Sequence, residues 1–189
     1  VCLGFEAVLT LYNHHKLLQT SCGIRYENYP LQFASKYTES LMFSQLDEKT
    51  YITLKYFPTT LNNHAWCTTL HNFTKSHLSK NWQITSTSVS KKGMKFIATV
   101  EHKTYPFIAV QFHPEKVIFE WPEEFNMPHY HAAVQANRYF YDVLIKLSKL
   151  NNNKFKSEKE EKDALIYKYK TFYPSEHKPL VFAQIYIFD

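Results

Sequence analysis

The spacing of hydrophobic residues predicts helices at both ends of the chain's first 150 residues. Apolar residues recur every three or four positions between residues 4 and 14, and again between 128 and 150. This is the period of a helix that packs along one face. Pro128 suits a first helical turn, and the asparagines at 151–153 suit the helix exit. The segment from 41 to 55 fits either a helix or a strand.

Other segments show the patterns typical of strands. Residues 82–89 and 94–102 alternate with a period of two, and a turn at 91–93 joins them into a predicted hairpin with a polar face. Residues 107–110 are apolar at every position, which predicts a central strand covered on both faces. Shorter strands are predicted at 16–22, at 29–33 and in the last ten residues. Helices mixed with an apolar central strand favour a layered α/β sheet.

Composition and charge exclude several classes of protein. The 189 residues are 44% hydrophobic and 21% charged, which is enough for one globular domain with a sizeable core. The net charge of +5 is spread along the chain, and the densest charged run, at 156–165, mixes both signs as a solvated surface does. Aromatic residues make up 17%, and core packing explains them better than base stacking. We therefore expect no nucleic-acid partner, and no apolar run is long enough to predict a membrane span.

The three cysteines, Cys2, Cys22 and Cys67, are too few for a disulfide scaffold and too far apart in sequence to suggest a metal site. Cys22 and Cys67 either form one bridge or remain free. Small free cysteines in the core are the favoured interpretation.

Cys2 lies where a reactive cysteine would be expected. A nucleophile elbow places the reactive side chain on a tight turn from strand to helix, with small residues beside it. The partial positive charge at the start of the following helix favours a thiolate. Cys2, followed by Gly4 and a predicted helix, fits the second half of such an elbow. A purely structural cysteine is the alternative.

His113-Pro114-Glu115 follows the predicted central strand. Open α/β sheets place their sites at the carboxyl ends of strands. A carboxylate two residues beyond the histidine can fix its tautomer and stabilise the imidazolium. A turn with a surface acid is the alternative for this tripeptide. Together with Cys2, however, these residues form a candidate Cys-His-Glu catalytic set.

These motifs resemble the class I glutamine amidotransferase superfamily and, within it, the gamma-glutamyl hydrolases. Cys2 and His113-Pro114-Glu115 match the superfamily. The resemblance to the narrower family extends over nearly the whole chain, through the segments Cys2–Glu6, Tyr29–Phe33, Asn62–Trp66, His71–Thr74, His113–Lys116 and Phe155–Tyr167 and the closing IYIFD.

The resemblance implies a flavodoxin-like three-layer α/β/α sandwich, with residues 1–189 forming the C-terminal portion of a single domain whose first strands are missing from this chain. It also implies a cysteine hydrolase of folylpoly-gamma-glutamates that requires no cofactor or metal. Cys2 would be the nucleophile, His113 the general base and then acid, and Glu115 the residue that orients His113. A homodimer is implied for the full-length protein. The fragment alone is expected to be inactive or poorly stable, because a sheet without its early strands exposes edges.

Three further residues receive roles. Leu3, just after the nucleophile, is expected to donate its backbone N–H to the oxyanion. His64 matches a functional histidine of the family and is assigned to substrate binding, although Ala65 replaces the family's more usual residue; a packed core histidine is the alternative. Asn72 begins an Asn-Phe-Thr sequon, which supports glycosylation and a lysosomal or secreted location.

Two alternative functions remain. One is a glutaminase domain that releases ammonia from glutamine. The other is a non-catalytic relative that binds folate conjugates. The sequon and the C-terminal segment argue against the first, and the joint presence of Cys2, His113 and Glu115 argues against the second.

Overall fold

The computed structural model describes residues 1–13, 18–122, 125–174 and 184–188. They divide into two compact units, Val1–Ser148 and Lys149–Asp189. The helices are α1 (Leu3–Tyr12), α2 (Glu48–Tyr56), α3 (Leu70–Lys75), α4 (Pro114–Phe119), α5 (His131–Ser148) and α6 (Glu158–Ala164). The strands are β1 (Thr20–Tyr29), β2 (Gln32–Phe33), β3 (Thr60–Cys67), β4 (Trp82–Val89), β5 (Lys95–His102), β6 (Ile108–Val110), β7 (Lys170–Phe172) and β8 (Ile185–Ile187). The prediction that residues 1–189 are one portion of a single domain stays a prediction.

A four-stranded sheet in the order β2-β4-β5-β6 forms the middle of the first unit, and all its pairs are antiparallel. Strands β1 and β3 form a separate antiparallel pair. In the second unit, β7 and β8 form a short antiparallel hairpin. The mixed α/β class predicted from the sequence is confirmed.

Two hydrophobic clusters cover opposite faces of the four-stranded sheet. Phe5 and Leu9 of α1 pack in one cluster with Ile97 of β5, whereas Ala136 and Phe140 of α5 lie in the other. Neighbouring residues of β6 alternate between the two clusters, since Ala109 lies in the cluster of α1 and Val110 in that of α5, as the period of a strand requires. Helix, sheet and helix therefore form three layers, and the prediction that β6 is covered on both faces is confirmed. Its predicted central position is wrong among the described strands, because β6 pairs with β5 alone and lies at the edge of the four-stranded sheet.

The predicted hairpin forms, but its polar face is buried. Strands β4 and β5 pair in antiparallel register as expected. Thr85 Oγ1 and Ser86 Oγ each lie 2.6 Å from Thr99 Oγ1, so hydroxyl groups satisfy one another across the pair. Buried hydroxyl groups require hydrogen-bond partners, and these hydroxyls find them in one another. The polar residues of the hairpin can therefore face the protein interior instead of solvent.

Local contacts explain where helices α2 and α5 begin. Asp47 accepts a hydrogen bond from the Thr50 amide at 2.9 Å, which starts α2 and resolves the ambiguous segment as a helix. Helix α5 starts at His131, three residues after the predicted Pro128. The ring of His129 stacks on Trp121 at 3.8 Å, and its Nε2 donates to the Glu120 carbonyl at 2.8 Å, so the preceding segment is held in a loop.

Strand β1 differs most from its prediction. Residues 16–17 of the predicted strand lie outside the described residues, and the strand runs from Thr20 through Gly23 to Tyr29. Gly23 has φ +57° and Tyr26 has φ +48°, and the pairing with β3 shifts register beside both. Gly23 therefore marks a bulge rather than the end of the strand. Of the predicted C-terminal strand, β8 is described, whereas 180–183 and 189 lie outside the described residues.

Cys22 of β1 and Cys67 of β3 are joined by a disulfide, so the favoured interpretation of two free cysteines is wrong. Antiparallel pairing of these strands brings their Cα atoms to 5.8 Å, within the range that a disulfide spans. Among the described residues, Cys2 is the free cysteine.

Candidate active site

Cys2 occupies a strained turn at the start of α1. Its backbone angles are φ +48° and ψ −109°, a conformation that side chains with a Cβ rarely adopt. Its amide donates to the Val110 carbonyl at the end of β6 at 3.0 Å, and its carbonyl accepts from the Glu6 amide at 3.1 Å. The sheet and the first turn of the helix thus hold Cys2 in place from both sides.

His113 and Glu115 lie at the beginning of α4, directly after β6. The His113 amide donates to the Leu61 carbonyl of β3 at 2.8 Å, which anchors the turn. Pro114 fills the first helical position, where its missing N–H costs nothing. The His113 Nδ1 lies 2.5 Å from Oε1 of Glu115, and the Cys2 sulfur is near enough to the imidazole to raise its pKa. The structure therefore brings Cys2, His113 and Glu115 into one chain of contacts.

This chain of contacts favours a charged His113. Burial lowers the pKa of the imidazole, but its hydrogen bonds to Cys2 and Glu115 and their negative charges outweigh burial and raise the pKa to about 9. For Glu115, burial also disfavours the charged form and so raises the pKa of the carboxyl group. The hydrogen bond and charge of His113 outweigh this effect and hold the pKa of Glu115 below its usual value. An imidazolium between a sulfur and a carboxylate is the arrangement that a cysteine nucleophile needs.

The sequence analysis missed two residues that position Cys2. The Cys2 Sγ lies 3.8 Å from the Asn63 carbonyl oxygen of β3. Gln111 donates from Nε2 to Oε1 of Glu6 at 3.2 Å, which ties α1 to the segment after β6. A backbone carbonyl carries no residue-specific signal, so only the fold reveals the first contact.

Leu3 is the first residue of α1. The first amides of a helix have no acceptor inside the helix, so the Leu3 N–H is available beside the nucleophile. This position is compatible with the predicted oxyanion role, which stays a prediction.

His64 is buried, with 4% of its surface exposed. Burial lowers its pKa to about 4, and the charges of His113 and Arg25 act in the same direction, against the raising effect of the Trp66 carbonyl. Its Nδ1 faces that carbonyl at 2.9 Å and its Nε2 faces Asn62 Oδ1 at 3.1 Å. His64 therefore interacts with His113 electrostatically. Its predicted role in substrate binding stays a prediction.

Asn72 lies in α3, where its Nδ2 donates to Thr20 Oγ1 at 2.9 Å. Only 9% of the residue is exposed. Glycosylation of Asn72 stays a prediction, and a glycan on Nδ2 would have to replace this hydrogen bond.

Apart from the Cys2 site, a group of three side chains among the described residues contains atoms of the kind that bind metal ions. Cys22, His64 and Cys67 present potential ligand atoms within 4.8 Å of one another. The fold brings together two cysteines that are 45 residues apart in sequence.

Residues 1–126 match the model of the family "Glutamine amidotransferase class-I". The chain belongs to this family. It is 34% identical over 189 residues to gamma-glutamyl hydrolase of Homo sapiens and 33% identical over 190 residues to that of Bos taurus. In both comparisons the whole chain is covered, together with 58% of the relative. Gamma-glutamyl hydrolase B of Dictyostelium discoideum is 29% identical over the whole chain, which spans 54% of that relative. The resemblance inferred from the motifs is confirmed.

Within the described ranges, none of the helices combines the length and apolar character that crossing a membrane requires.

Proposed function

We propose that the protein is a cysteine-dependent gamma-glutamyl hydrolase. The contact of Cys2 with His113, and of His113 with Glu115, is the observation that carries the proposal. The similarity to relatives named gamma-glutamyl hydrolase supports the choice of bond. Because the chain spans 58% of the human and bovine relatives, the activity of the whole protein is part of this proposal.

The proposed reaction is acyl transfer. The Cys2 sulfur attacks the carbonyl carbon of a gamma-linked glutamyl amide, and the tetrahedral oxyanion accepts a hydrogen bond from the Leu3 N–H. His113 gives its proton to the leaving amine as the C–N bond breaks, which produces a thioester. The neutral imidazole then takes a proton from water as the water oxygen bonds to the thioester carbonyl carbon. The C–S bond breaks, the carboxylic acid product leaves, and the Cys2 thiolate is restored beside the imidazolium. Glu115 keeps His113 oriented through both proton transfers, and no step calls for a metal or organic cofactor.

Folylpoly-gamma-glutamates are the proposed substrates, with His64 supporting the bound substrate from β3. A lysosomal or secreted glycoprotein is the proposed form of the enzyme, and the Cys22–Cys67 disulfide supports an oxidising compartment. A homodimer is the proposed assembly.

The family match also favours a second function, a glutaminase. A class-I glutamine amidotransferase domain can present the same Cys-His-Glu set to the side-chain amide of free glutamine. The two functions differ in the leaving group: a glutaminase releases ammonia, whereas a gamma-glutamyl hydrolase releases the amino group of a glutamate or peptide.

Comparing two substrates with the full protein tests the choice. We expect release of glutamate from pteroyl-di-gamma-glutamate, measured by chromatography, and no ammonia from glutamine. Release of ammonia alone would replace the hydrolase with the glutaminase. Binding of the folate conjugate without turnover of either substrate would indicate a non-catalytic relative.

Alkylation of Cys2 and its replacement by alanine together test whether Cys2 is the nucleophile. Under non-reducing conditions, iodoacetamide should modify Cys2, abolish hydrolysis and be blocked by substrate, because Cys2 is the free cysteine of the described chain. The variant Cys2→Ala should bind the folate conjugate but not cleave it. Full hydrolysis by Cys2→Ala would exclude the mechanism.

A further inference from the structure

A second cysteine-containing cluster, which includes the Cys22–Cys67 disulfide, lies between β1 and β3. Cys22 Sγ is 3.6 Å from His64 Nδ1, and Cys67 Sγ is 3.7 Å from the same nitrogen. All three residues are buried. Two sulfurs and one imidazole nitrogen form a soft ligand set, which suits Zn²⁺ better than hard cations such as Mg²⁺ or Ca²⁺.

Both ring nitrogens of His64 face oxygen acceptors, although a neutral imidazole has only one N–H to donate. Nδ1 lies 2.9 Å from the Trp66 carbonyl and Nε2 lies 3.1 Å from Asn62 Oδ1. Asn62 already donates its Nδ2 to the Thr60 carbonyl at 2.8 Å, so its oxygen is the atom turned toward His64. A neutral imidazole carries one N–H, and two acceptor oxygens therefore compete for it. One buried nitrogen lone pair faces an oxygen lone pair.

A cation at Nδ1 would remove this conflict. The proton would then reside on Nε2 and be donated to Asn62. This is the usual outer contact of a histidine that binds a metal, whose second ring nitrogen donates to an oxygen. The Trp66 carbonyl, close to Nδ1, would become a fourth donor to the same cation.

We propose that reduction of the Cys22–Cys67 disulfide creates a binding site for one Zn²⁺ ion, formed by Cys22, Cys67 and His64 with the Trp66 carbonyl oxygen. The proposal concerns a site other than the Cys2 nucleophile and does not depend on the proposed hydrolase activity.

Distances in the cluster fit tetrahedral zinc. Zn–S bonds of about 2.3 Å and Zn–N bonds of about 2.0 Å place a sulfur and a nitrogen about 3.5 Å apart. The two observed distances, 3.6 and 3.7 Å, are close to this value. The two sulfurs must separate to about 3.8 Å, which rotation about the Cα–Cβ bonds allows with Cα atoms 5.8 Å apart.

The chemistry balances with a dithiol as reductant. The dithiol supplies two electrons and two protons, its sulfurs become a disulfide, and the Cys22–Cys67 bond breaks to give two thiols. Zn²⁺ then displaces both protons and forms two Zn–S bonds. Cys22 lines a surface cavity of about 150 Å³ together with Gly23 and Lys91, so one side of the cluster borders a cavity.

Metal content of the full protein tests the proposal. The protein is reduced under argon with a water-soluble phosphine, which leaves as its oxide, then incubated with Zn²⁺, gel-filtered and analysed by mass spectrometry for zinc. We expect about one Zn²⁺ per chain after reduction and none in the oxidised protein. Co²⁺ in place of Zn²⁺ should show the absorption bands of tetrahedral thiolate coordination.

Variants separate this cluster from Cys2. Cys67→Ser should lose the metal, and reduced wild type is its matched reference because both lack the disulfide. Cys2→Ser should keep the metal. Asn62→Ala should bind about 10–100-fold more weakly while retaining its circular dichroism spectrum. Equal zinc content in the reduced and oxidised protein, retention of zinc by Cys67→Ser, or a Co²⁺ spectrum without thiolate bands would overturn the proposal.

Discussion

The Nδ1 atom of His113 lies 2.5 Å from Oε1 of Glu115, two residues further along the chain. The proline between them holds the first turn of α4, so the contact is local and does not depend on a distant element. Because the carboxylate occupies Nδ1, Nε2 is the nitrogen that the proposed mechanism uses for proton transfer. In the proposed mechanism Glu115 acts on the reaction through His113, and this role can be tested apart from that of the nucleophile.

Glu115→Gln should lower kcat of gamma-glutamyl hydrolysis by about 10²–10⁴-fold. The amide no longer stabilises the imidazolium and can hold the wrong tautomer, whereas KM should change little. Steady-state kinetics with a pteroyl-gamma-glutamate substrate provide the measurement.

Glu120→Gln is the matched control, because Glu120 is an acid at the other end of α4 that pairs with Lys116 rather than with His113. It should keep nearly full activity. Equal losses in the two variants would mean that general damage to α4, not the contact with His113, explains the effect.

Stability should depend on the protonation of His113. The pKa of this residue is raised from 6.5 to about 9, so the folded protein binds the proton more tightly than the unfolded chain does. This contribution to the free energy of unfolding is fully present below pH 6.5 and is lost as the pH rises through about 9. Its full size is about 3 kcal/mol.

Urea unfolding of wild type and His113→Asn across this range measures the contribution. The difference between their free energies of unfolding should shrink by about 3 kcal/mol between pH 6 and pH 10. The lowered pKa of Glu115 acts in a separate acid range, where its contribution is lost as the pH falls below 4.5. A pH-independent difference in the alkaline range would contradict the raised pKa of His113.

Local patterns predicted the elements that carry the site. A helix after Cys2, an apolar strand and a histidine at its carboxyl end were sufficient to locate both parts of the proposed catalytic set. The sequence could not show the contact of Cys2 with the Asn63 carbonyl, because that contact depends on how β3 lies beside the end of β6.

The disulfide shows a different limit of the sequence. Cys22 and Cys67 are 45 residues apart, and their bond depends on antiparallel pairing of β1 with β3. The bulge at Gly23 shifts the register beside Cys22, which no alternation of polar and apolar residues reveals. Long-range pairing, rather than local propensity, decides this feature.

Replacing both Cys22 and Cys67 with serine should lower the free energy of unfolding by about 2–4 kcal/mol, because the bond closes a long loop and restricts the unfolded chain. Urea unfolding in the presence of a chelator gives the value without a contribution from bound metal. Wild-type protein in which this bond has been reduced is the control, because it also lacks the cross-link, and it should be about as stable as the double variant. A loss below about 1 kcal/mol in the double variant would show that the bond does not constrain the unfolded chain.

The backbone strain at Cys2 predicts an unusual order of stability between two inactive variants. At φ +48°, an alanine keeps the Cβ clash whereas a glycine does not, so Cys2→Gly should be more stable than Cys2→Ala by about 1 kcal/mol. Ala7→Gly in the middle of α1 is the matched control and should have the opposite sign, with a loss of about 1 kcal/mol. Urea unfolding of the three variants gives the comparison. If Cys2→Ala is as stable as Cys2→Gly, the turn does not store strain in the folded protein, and the position of the sulfur must be maintained by its contacts with His113 and the Asn63 carbonyl alone.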